Sequence, residues 1–280
     1  SCASFVPTSL LASQESTLSC LHCLHSNCLF AEHDRLWQCQ RLKYEKHKRK
    51  SMSAFKDKTF RYMSIIIDGM DQDKSNVPRS STNAKEIKAV EPYPFSIVGV
   101  MVHGFEYRSY VVKPTWKHDT NLTIHLLMKT LVRVLETTGR LPPILYLQMD
   151  NCWRENKNQY LMTFLSLLLK LKVFVKIKLN FDLVGHTHED IDQMFKVLNE
   201  YLKRGDIPTF ERLLELVHNG FVNNQDGLPY GAEEVEAVGL WKEWFSPLYP
   251  GLHNHIYPHC FKVIHGCFSA LCCILAHMFI

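Results

Sequence analysis

The sequence predicts a mixed α/β fold, a sheet of parallel and antiparallel strands with helices on both faces, and three observations carry that prediction. Three short segments rich in β-branched and aliphatic residues follow one another between residues 61 and 112, as the strands of a meander do. From residue 119 onward, helical and strand periodicities alternate. The resulting order over residues 61–204, β-β-β-α-β-α-β-α, suits one layered core rather than separate all-α and all-β parts.

Tyr62, Met63, Ile65, Ile66 and Ile67 are apolar on both faces and end in Asp68, which suits a central, fully covered strand. Residues 74–94, with Pro78, Pro92, Pro94 and a Ser-Ser-Thr-Asn cluster, form a loop. Residues 96–102 and 107–112 are strands joined by His103-Gly104-Phe105-Glu106, a hairpin. Asp119, Thr120 or Asn121 caps a helix carrying Leu127, Leu131, Val134 and Leu135 at helical spacing as far as Gly139. After Pro142 and Pro143, residues 144–149 form a buried strand ending in Asp150, and a second helix is expected from about residue 157 to 171. Val175, Ile177, Leu179 and Phe181 alternate with Lys176, Lys178, Asn180 and Asp182, the pattern of a half-exposed edge strand. The third helix starts after His186 with Thr187 and Asp190 as a capping box, buries Ile191, Met194, Phe195, Leu198 and Leu202, and ends by Gly205 and Pro208.

Composition excludes a disordered or fibrous chain, since 46% of the 280 residues are hydrophobic. The net charge of +4 hides a division: residues 41–61 hold nine basic residues against Glu45 and Asp57, a local +7 that leaves the remainder at −3. Of ten cysteines, five lie in the first 39 residues, four in the last 21, and Cys152 stands between them. A secreted disulfide scaffold would spread them through the fold, so the core is expected to be intracellular and reduced. The start at Ser1 rather than Met, with no evident signal peptide, suggests a fragment or incomplete gene product. Lys262, His265 and His277 interrupt the apolar tail, which argues against a membrane span. Five segments are expected: a Cys/His-rich 1–34, a basic helix or linker 35–60, the core 61–205, a helical extension 206–250 and a poorly structured apolar tail 251–280.

The element order resembles that of the ribonuclease H-like fold, in which acids at the end of the first strand, at the end of the fourth strand and on the last core helix hold two divalent metals. Asp68, Asp150, and Glu189, Asp190 or Asp192 fill those places. More narrowly, Ile67-Asp68-Gly69-Met70-Asp71-Gln72, the segment Asp150-Asn151-Cys152-Trp153-Arg154-Glu155-Asn156-Lys157-Asn158, and Val184-Gly185-His186-Thr187-His188-Glu189-Asp190-Ile191-Asp192 resemble an uncharacterised transposon-derived eukaryotic family. The resemblance spans about residues 35–205. It implies a core of the DDE/D transposase type.

Phosphodiester cleavage or strand transfer needs an activated nucleophile and a stabilised leaving oxygen, which two metals about 3.5–4 Å apart supply. Mg²⁺ and Mn²⁺ favour carboxylate oxygens with open positions for water and phosphate. Asp68 is the first candidate acid, with Asp71 as its substitute, against the plainer view of a solvated turn at a strand end. Residues 68–73 fail as a calcium loop: the glycine is misplaced, and Thr82 stands where a loop from Asp71 needs its final Glu. Asp150 is the firmest candidate, because a carboxylate directly after a buried strand is poorly explained by packing. For the third acid, capping accounts for Asp190. That leaves Asp192, which is favoured, and Glu189; all three acids would also be favourable at the helix N-terminus without any catalytic role. Asn151, Asn156 and Lys157 either order the loop after Asp150 or contact a phosphate, loop ordering being favoured for the two Asn residues, and His186 and His188 orient a carboxylate, bind metal or serve structure.

Cys20, Cys23, Cys28 and His33 have the spacing C-x2-C-x4-C-x4-H of a compact zinc site, although no glycine helps the chain turn; unpaired thiols are the plainer alternative. The basic stretch containing Lys48, Arg49 and Lys50 is either a solvated face or a track for a phosphate backbone, and Lys176 and Lys178 extend that surface or discourage edge pairing. The expected function is metal-dependent nuclease or strand-transfer chemistry on DNA, with two Mg²⁺ or Mn²⁺ ions at Asp68, Asp150 and Asp192 and a nuclear location. No small-molecule cofactor or membrane is expected, and a homo-oligomer is allowed. The rivals are an inactive nucleic-acid or protein-binding module and a zinc-dependent binding protein.

Overall fold

Strand β1 (Tyr62–Gly69) lies mid-sheet in the computed structural model, as its two apolar faces demand: residues 63–67 are all buried. The structure describes residues 34–80, 90–181, 190–221, 228–248 and 259–264. The chain divides into two units, residues 1–45 and 46–280. Residues 34–56 are helical; in the first unit Arg41 and Glu45 pair one turn apart at 3.8 Å. The part from residue 46 onward is α1 of the second unit.

After β1 the second unit runs through β2 (Ser96–Val102), β3 (Glu106–Val112), α2 (Thr120–Thr138), β4 (Ile144–Met149), α3 (Gln159–Lys170), β5 (Lys176–Phe181) and α4 (Asp190–Leu202). It continues with α5 (Phe210–Asn219), β6 (Tyr230–Glu234), α6 (Trp241–Phe245) and β7 (Cys260–Ile264). Among the described residues this is an α/β fold of one mixed seven-stranded sheet and six helices. The strand order is β6-β3-β2-β1-β4-β5-β7. The pairs β1–β2, β2–β3 and β5–β7 are antiparallel, whereas β1–β4, β4–β5 and β3–β6 are parallel.

Local chemistry fixes the helix ends. Asp119 caps α2 by accepting a hydrogen bond from the Asn121 N–H at 2.8 Å, and Gly139 ends it at φ 73°, a conformation glycine adopts without a Cβ penalty. Asn158 caps α3, accepting from the N–H groups of Tyr160 and Leu161. Residues 182–189, including Thr187 of the expected capping box, lie outside the described residues.

The two sheet faces differ. Odd-numbered residues of β1, β4 and β5 join even-numbered ones of β2 in an aliphatic core with α2, α3 and Phe245 of α6. On the opposite face α4 packs on β1 and β2, α5 packs on β3 and β6, and His47 of α1 stacks on Tyr146 at 3.8 Å between ring centroids.

Two expectations require correction beyond residue 205. Within 206–250, helices α5 and α6 are present, but Tyr230–Glu234 adds strand β6 beside β3. Within the expected tail, Cys260–Ile264 pairs with β5, so β5 is not the sheet edge that its half-polar alternation suggested. Phe261 and Val263 enter the aliphatic core while Lys262 faces the other way, a strand pattern masked by its apolar surroundings. Among the described residues no helix is long and apolar enough to cross a membrane.

Candidate functional site

Register brings Asp68 and Asp150 together. Ile67 is the β1 partner of Met149 in parallel β4, so the residue following each emerges at neighbouring C-terminal strand ends, on strands about 4.8 Å apart. Asp68 is paired with Gly99 of β2, and the Phe195 ring of α4 lies over that glycine: a Cβ on Gly99 would stand 3.0 Å from it. Asp68 therefore faces the α4 layer. Burial above all raises the Tyr107 hydroxyl's pKa, and the charge of Asp68 adds to the effect. Asp68 is half-buried and its Oδ1 accepts from the Gly69 N–H at 2.8 Å. Asp150 is exposed, and its Oδ1 accepts from the Asn151 N–H at 2.6 Å.

The loop after Asp150 is pinned from both ends. Asn156 Nδ2 donates to the Asp150 carbonyl at 3.3 Å, and the Thr123 hydroxyl donates to Asn156 Oδ1 at 3.2 Å. Asn158 Nδ2 donates to the Thr120 hydroxyl at 2.6 Å, and that hydroxyl donates to the Arg154 carbonyl at 2.9 Å. Asn156 thus orders the loop, and Asn151 gives its N–H to Asp150. Lys157 is only 3% exposed with its ammonium 5.4 Å from the Phe181 ring centroid, and burial lowers its pKa. It packs beneath the loop rather than on a phosphate-facing surface.

A pair that the sequence did not single out lies beside Gly69, whose side-chain direction is that of the α2 side of the sheet. His118 Nδ1 lies 3.7 Å from Glu155 Oε1, and the imidazole occupies the space over Gly69, where an added Cβ would stand 2.7 Å from Cε1. Burial raises the Cys152 thiol's pKa first, and the charges of Glu155 and Asp150 push the same way. Glu155 lay within the distinctive 150–158 segment; His118, in an irregular connection before α2, gave no periodic signal.

The helix acids divide. Asp190 Oδ2 is 2.6 Å from Lys48 Nζ and 3.4 Å from His103 Nε2. Burial opposes its charge, yet His103 and Lys48 hold its carboxyl well below the usual carboxylate range. His103 is anchored to the Ser64 carbonyl, four residues before Asp68 along β1, a distance of about 13 Å. Asp190 therefore ties α1 and α4 to the hairpin. Asp192 is half-buried on the first turn of α4. Glu189, His186 and His188 lie outside the described residues, as do Cys20, Cys23, Cys28 and His33. Among the described residues no group of three or more His, Cys, Asp or Glu side chains could hold a metal ion.

The basic residues also separate. Lys48 is taken up by Asp190. Arg49 is exposed, Lys50 lies 4.9 Å from the Tyr62 ring centroid, and Lys178 lies 5.8 Å from that of Tyr146. Lys176 and Lys178 are on the sheet face that Asp68 and Asp150 share, following the alternation of paired positions 146, 148 and 178, 180.

No curated protein and no solved structure matches the chain. The family model described as a domain of unknown function, DUF7869, matches residues 85–270, a span holding Asp150, α4 and the two added strands but not β1. With most of its length covered by that model, the chain belongs to the DUF7869 family.

Proposed function

We propose that the chain is a ribonuclease H-like, transposase-type domain that cleaves or transfers DNA phosphodiesters with divalent metal. One observation carries the proposal: Ile67 and Met149 are partners across parallel strands β1 and β4, so Asp68 and Asp150 follow at the same level of adjacent strands. The central strand order β3-β2-β1-β4-β5, antiparallel on one side of β1 and parallel on the other, supports it.

The donor chemistry fits the ion. Mg²⁺ is commonly held by one or two carboxylates together with substrate phosphate and water, so Asp68 and Asp150 are a sufficient protein base. The ion's role is to polarise the phosphoryl oxygens and activate the nucleophile. Asp68 and Asp150 would hold the metal, and the pinned loop 151–158 keeps the Asp150 backbone in register. Glu155 and His118 form the wall beside Gly69. The third carboxylate is assigned to Asp192 or Glu189, since Asp190 is committed to Lys48 and His103.

Nicking of supercoiled DNA by the full chain with Mn²⁺ tests this. Asp68→Asn and Asp150→Asn each lower nicking by about 10³-fold while leaving the thermal transition in place; undiminished nicking in either variant overturns the assignment. The two lysines Lys176 and Lys178 on one face of β5 favour a second reading, an inactive nucleic-acid-binding module. Its signature is binding of DNA with no nicking by the unmodified chain.

A further inference from the structure

We propose that Lys46 and Lys50 of α1, Lys176 and Lys178 of β5 and Lys262 of β7 form one surface that binds the phosphate backbone of double-stranded nucleic acid. The choice of polymer rests on the function proposed above, but the surface is distinct from Asp68 and Asp150 and needs no metal.

Three distant segments meet there. Tyr146, Lys178 and Lys262 are successive neighbours across β4, β5 and β7. Beneath the lysines, the Tyr62 and Tyr146 rings stack with centroids 6.0 Å apart and 10° between planes. Lys50 and Lys178 each lie over one of these rings. Lys46, Lys50 and Tyr62 also line a shallow groove along α1 with Arg49.

Among the described residues, none of the five lysines forms an ion pair with a carboxylate. Lys178 feels the crowding: burial first, and then Lys176, Lys50, Lys262 and Lys46, lower its pKa. Uncompensated like charge works against the folded state. Protection of a sheet edge explains Lys262 on β7 but not the lysines of covered β5 or of α1. A bound polyanion removes the repulsion and accounts for all five.

Geometry favours a duplex. Tyr146 is only 4% exposed and lies under Lys178, so it offers no open platform for unstacked bases. Along the strands, Lys178 is four positions from the level of Asp150, about 13 Å, the rise of roughly four base pairs along the axis of B-DNA. A backbone lying on the lysines thus leads toward the acidic strand ends on the same face.

The test uses the full chain in EDTA and a labelled mixed-sequence DNA duplex of about 30 base pairs, followed by fluorescence anisotropy at roughly 50–200 mM salt. Lys178→Gln/Lys262→Gln is expected to weaken binding at least about tenfold and to flatten the log–log salt slope by about two. Lys46→Gln/Lys50→Gln does the same without touching the sheet, which guards against a folding defect in the first variant. Arg212→Gln, which removes an exposed α5 charge paired with Glu215 and outside this surface, binds as the unmodified chain does. Unchanged affinity and slope in both lysine pairs, or binding of phosphatidylserine vesicles but not duplex, overturns the proposal. Because no metal is present, failed nicking with intact lysine-dependent binding removes only the catalytic assignment.

Discussion

The two faces of the sheet follow different rules. Against α2 and α3, strands β1, β2, β4, β5 and β7 present aliphatic or aromatic side chains, among them Ile65, Ile67, Leu145, Leu147, Ile177 and Leu179, while Glu106 of β3 and Glu233 of β6 pair with Arg133 of α2. On the opposite face the same strands carry Ser64, Asp68, Ser109, Gln148, Asn180 and Lys178 beneath α1, α4 and α5. A covered polar group needs a partner or a task, because unsatisfied burial is costly. Some partners are plain: Ser51 links the Ser64 N–H to the His103 carbonyl, and Asp190 joins Lys48 to His103. The first face therefore carries stability and the second carries the candidate chemistry.

That contrast can be broken at graded cost. The largest effect is expected at the strand ends: Asp150→Asn lowers Mn²⁺-dependent nicking by about 10³-fold, or about 4 kcal/mol of transition-state stabilisation, read from initial rates. Leu165→Ala, in the aliphatic core, lowers unfolding free energy by about 3 kcal/mol in a denaturant titration. Asp190→Asn costs about 2 kcal/mol, below the range for a fully buried pair because Lys48 and Asp190 keep some solvent contact. Its sign with pH is also set. A carboxylate whose folded pKa is depressed stabilises above its unfolded value, about 3.9, and that contribution is lost as pH falls through the still lower folded value. Stability of the unmodified chain should therefore fall more steeply in acid than that of Asp190→Asn. The smallest effect is Asn158→Ala, about 1 kcal/mol from loss of the α3 cap, read as a lower melting temperature with the core otherwise intact.

The aliphatic face was the more legible in sequence. β1 and β4 announced themselves because central strands are apolar on both sides, and α2 through its spacing and Gly139. β6 was not legible, since Tyr230-Gly231-Ala232-Glu233-Glu234 has strand character only once β3 offers a ladder. Phe261 and Val263 alternate correctly, but over too few residues to stand out from an apolar tail. On the functional face, Asp68 and Asp150 could be placed because each directly follows a buried run. The pairing of His118 with Glu155 depends on two loop paths that no periodicity encodes, and the capture of Lys48 by Asp190 joins elements more than a hundred residues apart. The basic stretch was visible as charge, but its division into a structural Lys48 and a surface containing Lys46 and Lys50 emerged only from packing.

The central claim is that Asp68 and Asp150 form one divalent-metal site at adjacent strand ends. Crystals of the full chain grown with Mn²⁺ and measured for anomalous scattering test it most directly. The expected result is a manganese peak within about 2.2 Å of a carboxylate oxygen from each of Asp68 and Asp150, absent from crystals of Asp150→Asn. Saturating Mn²⁺ with no peak between the two carboxylates would contradict it.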